Sequence, residues 1–491
     1  MYSFFKNIPF WAQVAIYLGI VLRIREYLSS RPLWLDEAAF ALSIIQRSFW
    51  ELVQQVEPVY SAAGFFLLEK ISVLVFGGSE MSLRLFPLIA GIISIILFYK
   101  VAKLFLNNKT AIFAIFIFSI LDSLIYFSAE VKQYSFDVLV ALIIYYIVLS
   151  TKSKLLWILV GSLSIWFSHP AIFILAGIGL TITVSYLWQR NWQKFAEMIL
   201  IQFFWLFSFG LSFFLTVKLG DNQELISFWN FTYAPAPASL DAFKWYFDAI
   251  VNFMINPTGL SYPRYGLLVI LLGSVFLFRK NKFHLAILIF PFILTLLASF
   301  LHTYPFIGRF LLFLIPAALI LFAQGADWVG QFVVKLLKVK WIWIGVYIFM
   351  AIIFFHKTII LDINHLTKPR QDNEDMESVV KYFKLKQKEG DLVYLYYAGA
   401  PAFRYYSNKH GIDVKYILGI SAREQLVKYA KDVEKFKGVG RIWFVFSHVA
   451  FLKGIPSVTE EQFFVSKLNR MGARLDEFHA MGASIYLYEL D

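Results

Sequence analysis

Two adjacent carboxylates, Asp36 and Glu37, follow the first long apolar segment of the chain, in the stretch RPLWLDEAAF at 31–40. Ionisable side chains close to a bilayer are costly, and they mark functional sites by default. A carboxylate held among apolar groups has a raised proton affinity, which suits a general base that takes a proton from a sugar or lipid hydroxyl. Asp36 also precedes an apolar-periodic run, so it could cap a helix that has Glu37 in its first turn. The two roles are compatible, and we predict that both carboxylates are catalytic.

A third carboxylate, Glu57, precedes Pro58 and is predicted to lie on the same side of the membrane. An exposed loop residue would have the same pattern, but a substrate-binding role is also open. Asp36, Glu37 and Glu57 together have the oxygen ligands that a divalent cation prefers. Their spacing does not require a metal, so the sequence leaves a divalent metal ion as an open prediction.

A second polar segment, SAEVKQYSFD at 128–137, separates two apolar runs. Glu130 and Lys132 could pair with each other at the membrane interface, and Tyr134 could anchor the chain there. A lysine also binds phosphate as a point charge. Because this segment is predicted on the same face as Asp36, we predict that Glu130, Lys132 and Tyr134 bind substrate.

Three further charged or titratable side chains are predicted at the ends of apolar runs. Arg309 follows HTYPFIG, where it could either extend its charge to the interface or stabilise a leaving phosphate. Arg84, in SEMSLRLFP, has the same two interpretations. His169, in SHP, could be a polar group at a helix end, a ligand or a proton carrier. We include Arg84, His169 and Arg309 among the predicted substrate-binding residues.

The composition indicates which elements must position these residues. Of the 491 residues, 59% are hydrophobic and 16% are charged, against roughly 45–50% and about 25% in soluble domains. Long apolar runs therefore predict a polytopic membrane protein. The net charge of +12 comes from Lys and Arg in short loops between these runs, which fits the positive-inside bias better than a nucleic-acid partner. The absence of cysteine excludes disulfides, thiolate catalysis and Cys-ligated zinc.

About eleven membrane-spanning helices are predicted, the first of them as an uncleaved signal anchor. The runs are 10–28, 84–104, 111–127, 135–150, 155–168, 171–188, 196–217, 264–279, 283–301, 309–325 and 341–356. With 31–80 as amphipathic helices on the outer surface, the charge pattern places the N-terminus in the cytoplasm and the C-terminus outside. If 59–76 crossed the bilayer instead, most loops after it would be predicted on the opposite side of the membrane.

The chain changes character at about residue 360, where polar helix-like and strand-like segments begin to alternate. DLVYLYY, VKYILGI, RIWFVF and SIYLYEL predict strands, and ESVVKYFKLKQKEG, REQLVKYAKDVEKF and TEEQFFVSKLNRMG predict helices. This alternation predicts a small α/β domain. We therefore predict a transmembrane domain at 1–360 and an extracytoplasmic domain at 361–491.

Four segments along residues 10–360 together resemble one family. RPLWLDEAAFALSII, FGGSEMSLRLFPLIAG, YFSAEVKQYSFDVL and RFLLFLIPAALILFAQG resemble, in this order, the membrane-embedded GT-C glycosyltransferases. The branch they resemble contains the bacterial protein O-mannosyltransferases and the lipid A aminoarabinose transferase. The segment PAFRYYSNKHG resembles the small outer α/β domain of many bacterial members. The resemblance implies a GT-C fold with surface helices in the first outer loop.

The resemblance also implies an activity and a place for the candidate residues. Members transfer sugar from polyprenyl-phosphate donors to lipid, glycan or protein acceptors at the outer face of the cell membrane. Their first outer loop has an acidic motif that Asp36-Glu37 matches, and their second resembles the segment with Glu130, Lys132 and Tyr134. Some relatives have Glu-Lys-Pro-Pro where this chain has only Glu57-Pro58. Some relatives bind a divalent metal and others need none.

The implied reaction is a direct displacement. Asp36 deprotonates or orients the acceptor hydroxyl, while Arg309 and Lys132 stabilise the polyprenyl phosphate that leaves. The leading alternative is a polytopic transporter or lipid flippase, in which intramembrane charges line a path. The acidic residues, however, are predicted in outer loops rather than in mid-span, and no Gly-rich phosphate loop follows a strand. A non-catalytic sensor or assembly factor is the second alternative.

Overall fold

A computed structural model describes residues 8–54, 61–216, 228–368, 370, 374–422, 425–452 and 455–490. Glu57 and Pro58 lie outside these residues. The chain forms two compact units. The first contains Met1–Leu28, Arg47–Gly77 and Met81–Thr367, and we call it the membrane unit. The second contains Ser29–Gln46, Gly78–Glu80 and Lys368–Asp491, and we call it the mixed unit.

The membrane unit is built from helices. Those before residue 130 are α1 (Phe10–Leu28), α3 (Phe49–Gln54), α4 (Ala63–Phe76), α5 (Glu80–Leu83), α6 (Leu85–Phe105), α7 (Asn108–Ile120) and α8 (Asp122–Tyr126). The first residue of α5, Glu80, belongs to the mixed unit. The later ones are α9 (Tyr134–Ser150), α10 (Lys154–Phe167), α11 (Ala171–Trp188), α12 (Trp192–Thr216), α13 (Leu240–Ile255), α14 (Pro263–Lys280), α15 (Lys282–Phe300), α16 (Ile315–Leu337) and α17 (Ile342–Thr367). Short 3₁₀ segments occur at Phe127–Ala129, Asn230–Thr232 and Gly308–Leu314.

The eleven predicted apolar runs are helical, but two of them are interrupted. The run 111–127 is divided between α7, α8 and a 3₁₀ segment, and the run 309–325 begins in the 3₁₀ segment Gly308–Leu314. Among the described residues, six helices are long and apolar enough to cross a membrane, or seven if the bent pair Asn108–Ile120 and Asp122–Ala129 is one span. Helices α9 and α10 are apolar but shorter, and α1 and α14 each contain three charged residues. The multi-pass architecture is therefore confirmed, and the number of eleven crossings stays a prediction.

Local sequence fixes where several of these helices begin and how closely they pack. The side-chain oxygens of Asn107, Ser153 and Asn281 each accept a hydrogen bond from the backbone N–H three residues later, as N-caps do. Helices α14 and α16 cross at Gly273 and Gly325. A Cβ on Gly325 would lie 1.9 Å from the Val269 carbonyl oxygen. Only glycine permits this approach, which is typical of packed membrane helices.

The C-terminal part of the mixed unit is the predicted α/β fold. Its strands are β1 (Leu392–Leu395), β2 (Tyr416–Leu418), β3 (Gly440–Ser447), β4 (Phe451–Leu452), β5 (Ile455–Thr459), β6 (Gly472–Ala480) and β7 (Ala483–Leu490). Its helices are α18 (Met376–Lys386), α19 (Ala400–Lys409), α20 (Leu426–Glu434) and α21 (Glu460–Leu468). The main sheet has the order β2-β1-β3-β7-β6, parallel from β2 to β3 and antiparallel from β3 to β6. The central strand β3 is buried from Ile442 to Ser447, as expected of a strand that is covered on both faces.

The mixed unit also contains a segment that the sequence analysis assigned to the membrane domain. Helix α2 (Leu35–Gln46), from the predicted first outer loop, packs against α19. The Tyr405 hydroxyl donates a hydrogen bond to the Gly78 carbonyl oxygen at 2.8 Å. Lys409 forms an ion pair with Glu80 at 2.5 Å. The change in composition near residue 360 does not reveal this association, because the contacts join segments that are distant in sequence.

Candidate functional site

The acidic motif occupies the first turn of α2. The helix begins at Leu35, and the Ala38 N–H donates to the Trp34 carbonyl oxygen at 2.9 Å. Asp36 and Glu37 therefore lie beside the unsatisfied N–H groups of the helix N-terminus, whose partial positive charge favours carboxylates. Asp36 was predicted to cap this helix, and the structure instead places it in the first turn.

The two carboxylates of the motif differ in burial. Glu37 is fully buried, and its Oε1 atom lies 3.9 Å from a guanidinium nitrogen of Arg31, whose side chain is also buried. Removal of one partner from such a buried pair leaves an uncompensated charge. Asp36 is only half-buried. Glu37 thus has a structural partner, and Asp36 is the more accessible candidate for contact with an acceptor hydroxyl.

The residues before Asp36 are held by the C-terminal part of the same unit. The Leu33 N–H donates to the Tyr406 hydroxyl oxygen at 2.7 Å, and the Leu35 N–H donates to Oε2 of Glu374 at 3.3 Å. His448 Nδ1 lies 2.6 Å from Oε1 of the same glutamate. These contacts fix the chain on the N-terminal side of Asp36.

Arg309, in the membrane unit, lies against aromatic rings. Its guanidinium carbon is 5.7 Å from the ring centroid of Tyr134 and 5.8 Å from that of Phe310. Both distances are within the range of cation–π attraction. Trp229 packs edge-to-face on Phe310 at 5.1 Å, and the Tyr304 hydroxyl donates to the Phe310 carbonyl oxygen at 2.8 Å. The structure therefore brings Arg309 and Tyr134 together, two residues that the sequence analysis singled out separately.

Glu130 and Lys132 lie in a tight turn just before Tyr134. The Lys132 N–H donates to the Glu130 carbonyl oxygen at 2.7 Å, and both side chains are buried. The turn is fixed at its far side by Ser135, whose hydroxyl donates to the Phe127 carbonyl oxygen at 2.8 Å. Charge at a buried position interacts more strongly with a phosphate than charge in water does. This turn is thus a suitable place for a phosphate-binding lysine.

His169 follows Ser168, which is hydrogen-bonded to Asp137, a buried residue that was not among the predicted site residues. Asp137 accepts a hydrogen bond from the Ser168 hydroxyl at 2.7 Å, and both residues are buried. Asp137 could have been predicted from its position at the end of the polar segment 128–137. Burial lowers the pKa of His169 below its ordinary value of 6.5, and the backbone of Ser61 opposes this shift only partly. The imidazole is therefore neutral at pH 7.

Arg84 lies directly before α6 and is almost fully buried, at 1% exposure. This burial does not fit a side chain that extends to solvent, which was one of its two predicted roles. The adjoining helix α6 packs against the 3₁₀ segment Phe127–Ala129, which leads into the turn with Glu130. Among the described residues, no three His, Asp or Glu side chains are grouped as metal ligands would be. Glu57, the third predicted metal ligand, lies outside those residues.

Comparisons with known proteins agree with this architecture. Residues 62–166 match the family of dolichyl-phosphate-mannose-protein mannosyltransferases. No curated protein sequence matches the chain. The fold is similar to that of ArnT from Cupriavidus metallidurans in the apo state, with a TM-score of 0.56 and 13% identity over 97% of both chains. The structure of the same protein bound to undecaprenyl phosphate has a TM-score of 0.55 and 12% identity, again over 97% of both chains.

The oligosaccharyltransferase AglB from Archaeoglobus fulgidus has a similar fold as well. Its structure with an inhibitory peptide and a dolichol-phosphate gives a TM-score of 0.52 and 10% identity, over 97% of this chain and 74% of that one. The alternative of a transporter or flippase is not favoured by these findings. The chain is a multi-pass membrane protein with the GT-C glycosyltransferase fold, as its sequence motifs predict.

Proposed function

We propose that this protein transfers a sugar from a polyprenyl-phosphate-linked donor to a hydroxyl group of a lipid, glycan or protein acceptor. The observation that carries the proposal is the fold shared over 97% of both chains with a protein crystallised with undecaprenyl phosphate. The AglB structure, which holds a dolichol-phosphate and a peptide, supports the same classes of donor and acceptor. The site residues add a carboxylate in a helix first turn and a cation held on aromatic rings.

The proposed reaction is a single displacement at the anomeric carbon. Asp36 accepts the proton of the acceptor hydroxyl, and that oxygen forms a bond to the anomeric carbon. The bond from this carbon to the phosphate oxygen breaks, and its electron pair leaves with the polyprenyl phosphate. Lys132 and Arg309 stabilise the charge on the departing phosphate. No step requires a soluble nucleotide sugar.

The remaining predicted residues have supporting roles in this proposal. Glu130 and Tyr134 position Lys132 and Arg309, and His169 serves as a neutral hydrogen-bonding group. Glu57 and Arg84 stay predicted substrate-binding residues, and Glu37 supports the helix that bears Asp36. A divalent metal ion also stays a prediction, which an assay after EDTA treatment, with and without added Mg²⁺ or Mn²⁺, tests directly.

The decisive experiment is a transfer assay with the purified full-length protein. Radiolabelled undecaprenyl-phosphate hexoses and pentoses are incubated with the protein and a crude membrane fraction as acceptor. We expect one donor to pass its label to a new product, and the identity of that donor distinguishes hexosyl from pentosyl transfer. An Asp36→Asn protein is the control for contaminating transferases. If no donor in the panel yields a product that depends on Asp36, the proposal is wrong.

We further propose that the protein lies in the cell membrane, with the N-terminus in the cytoplasm and the C-terminal domain outside. The chain has no cysteine, so single cysteines report their own location. Exposed residues His302 and Lys338 are predicted on opposite sides. A membrane-impermeant maleimide should label His302→Cys in intact cells, and Lys338→Cys only after permeabilisation. The reverse pattern would contradict the proposed orientation.

A further inference from the structure

We propose that the C-terminal α/β domain belongs to the catalytic apparatus, because its residue Glu374 positions the acidic motif. This inference rests on the proposed function and extends it. It assigns Glu374 as a positioning residue that acts through the backbone of Leu35, one residue before Asp36. Nothing in the sequence indicates this role, since Glu374 follows a polar stretch far from the four family-like segments.

Glu374 is itself held in place by its own domain. The next residue, Asp375, donates its backbone N–H to the Met481 carbonyl oxygen at 2.7 Å, in the turn between β6 and β7. The Asp375 side chain also caps α18, because it accepts a hydrogen bond from the Ser378 N–H at 3.0 Å. The backbone at Glu374 is thus tied both to the sheet and to a helix.

The carboxylate of Glu374 contacts three residues, one in α2 and two at the end of β3. Its Oε2 atom accepts from the Leu35 N–H and from the Ser447 hydroxyl, each at 3.3 Å, and its Oε1 atom lies 2.6 Å from Nδ1 of His448. The Leu35 N–H is one of the four at a helix N-terminus that have no partner within the helix. Glu374 therefore serves as an N-terminal cap for α2, supplied from 339 residues further along the chain.

The backbone of His448 adopts a conformation that costs free energy, and the protein keeps it next to Glu374. Its φ angle of 54° lies in the left-handed region, which residues other than glycine seldom adopt. Such strain persists where the surroundings hold the residue firmly, and it concentrates at functional sites. Here the imidazole contacts Glu374 on one side, and its ring lies 5.9 Å from that of Trp34, two residues before Asp36.

Together these contacts fix the direction in which the first turn of α2 presents Asp36. Tyr406 holds Leu33, Glu374 holds Leu35, and His448 lies against Trp34. A general base must lie within hydrogen-bonding reach of the proton it accepts, so a small displacement of its helix slows the chemical step. Loss of Glu374 should therefore lower kcat, while the KM for the donor, which is proposed to bind through Lys132 and Arg309, should change little.

The test compares Glu374→Ala, Glu374→Gln and Glu377→Ala in the full-length protein. Glutamine can still accept from the Leu35 N–H with its oxygen, and its amide can donate to Nδ1 of a neutral His448. Glu377 is the matched control, because it also contacts a histidine, His410 at 2.9 Å. Its other ion-pair partners, Lys381 and Lys409, lie outside the segment 29–46 as well. The probes are the undecaprenyl-phosphate sugar that the wild type uses and hydrogen–deuterium exchange of peptides from 29–46.

We expect Glu374→Ala to lower kcat by about 10- to 100-fold, to leave the donor KM within about twofold, and to speed exchange at the start of α2. Glu374→Gln should recover most of the activity, and Glu377→Ala should resemble the wild type. Unchanged kcat and exchange in Glu374→Ala would overturn the inference, as would an equal loss in Glu377→Ala. If the wild type transfers no sugar, the proposed function fails, and the exchange measurement still decides whether Glu374 holds α2.

Discussion

In the membrane unit, Arg309 rests against the rings of Tyr134 and Phe310, whereas in the mixed unit the acidic motif is held by Tyr406 and Glu374. The contacts of the cation that differ from those of the acidic motif are its two aromatic faces, at 5.7 and 5.8 Å. The backbone just before the carboxylates is held by hydrogen bonds to Leu33 and Leu35, and Glu37 lies in the Arg31–Glu37 ion pair. The two sets of candidate residues thus depend on different forces.

This difference follows from the surroundings of each unit. An aromatic face attracts a cation through its quadrupole and itself carries no net charge. A carboxylate that must accept a proton needs polar neighbours that fix its direction, and a domain with a sheet core can supply them. We conclude that changes in the mixed unit should affect catalysis through Asp36, and changes around Arg309 should affect donor binding.

The strongest test of this comparison is Asp36→Asn. Removal of a general base typically lowers the rate by about 10²–10⁴-fold, and the neutral amide cannot accept the proton. We expect transfer to fall by this amount while expression and unfolding temperature stay unchanged, since Asp36 is only half-buried. Glu51→Gln is the control, because Glu51 is an exposed acid in the first turn of α3. Normal transfer by the Asp36 variant would contradict its proposed role.

The second test separates Glu37 from its neighbour. Glu37→Gln removes the carboxylate from the buried Arg31–Glu37 pair, and breaking a buried ion pair typically costs about 3–5 kcal/mol. We expect a clear fall in the free energy of unfolding, measured by denaturant titration of the purified protein. The double variant Arg31→Met/Glu37→Met should recover much of it, because no buried charge is left alone. A Glu37→Gln protein that is stable but inactive would instead make Glu37 catalytic, as the sequence analysis predicts.

The third test concerns the cation on the aromatic rings. Arg309→Ala removes both the charge and the ring contacts, and Arg309→Lys keeps the charge without the planar guanidinium. Since a cation–π contact is worth about 0.5–2 kcal/mol, we expect the lysine variant to lose several-fold in kcat/KM and the alanine variant to lose more. The KM for the donor should rise and kcat should fall, because Arg309 is proposed to contact the donor phosphate both when it is bound and when it leaves. Wild-type kinetics in both variants would exclude Arg309 from donor binding.

The secondary structure was largely predictable, because local periodicity decides it. The apolar runs form helices, and RIWFVF and SIYLYEL form the central strands β3 and β7. Strand β6 was missed, and it lies at the edge of the sheet with Arg474, Asp476 and Glu477 along it. An edge strand pairs on one side only and tolerates charge, so it lacks the apolar pattern that identifies a central strand.

The sequence offers candidate site residues only where a charge interrupts an apolar sequence, as at Asp36, Lys132 and Arg309. Glu374 and Tyr406 lie in a polar domain, where the sequence does not distinguish them from the other glutamates and tyrosines. Their bonds to Leu35 and Leu33 span 339 and 373 residues. Such pairs arise from tertiary packing, such as that of α2 on α19 at Tyr406, which no local pattern encodes. The roles of the predicted site residues therefore stay predictions until the variants are measured.

The smallest expected effect is at His169. The direction in which kcat/KM changes on acidification distinguishes a neutral hydrogen-bonding group from a phosphate-binding cation. Burial lowers the pKa of His169 below 6.5, so the folded protein holds this imidazole neutral. As the pH falls below 6.5 the unfolded chain binds this proton more readily, and the free energy of unfolding decreases. His169→Gln keeps a neutral polar group, and we expect kcat/KM to change less than about threefold, as is usual when no buried charge is lost. The wild-type profile should therefore show no gain in kcat/KM between pH 7 and pH 6. If activity instead rises on acidification, and His169→Gln abolishes that rise, the imidazolium binds the donor phosphate and joins Arg309 on the donor side of the comparison.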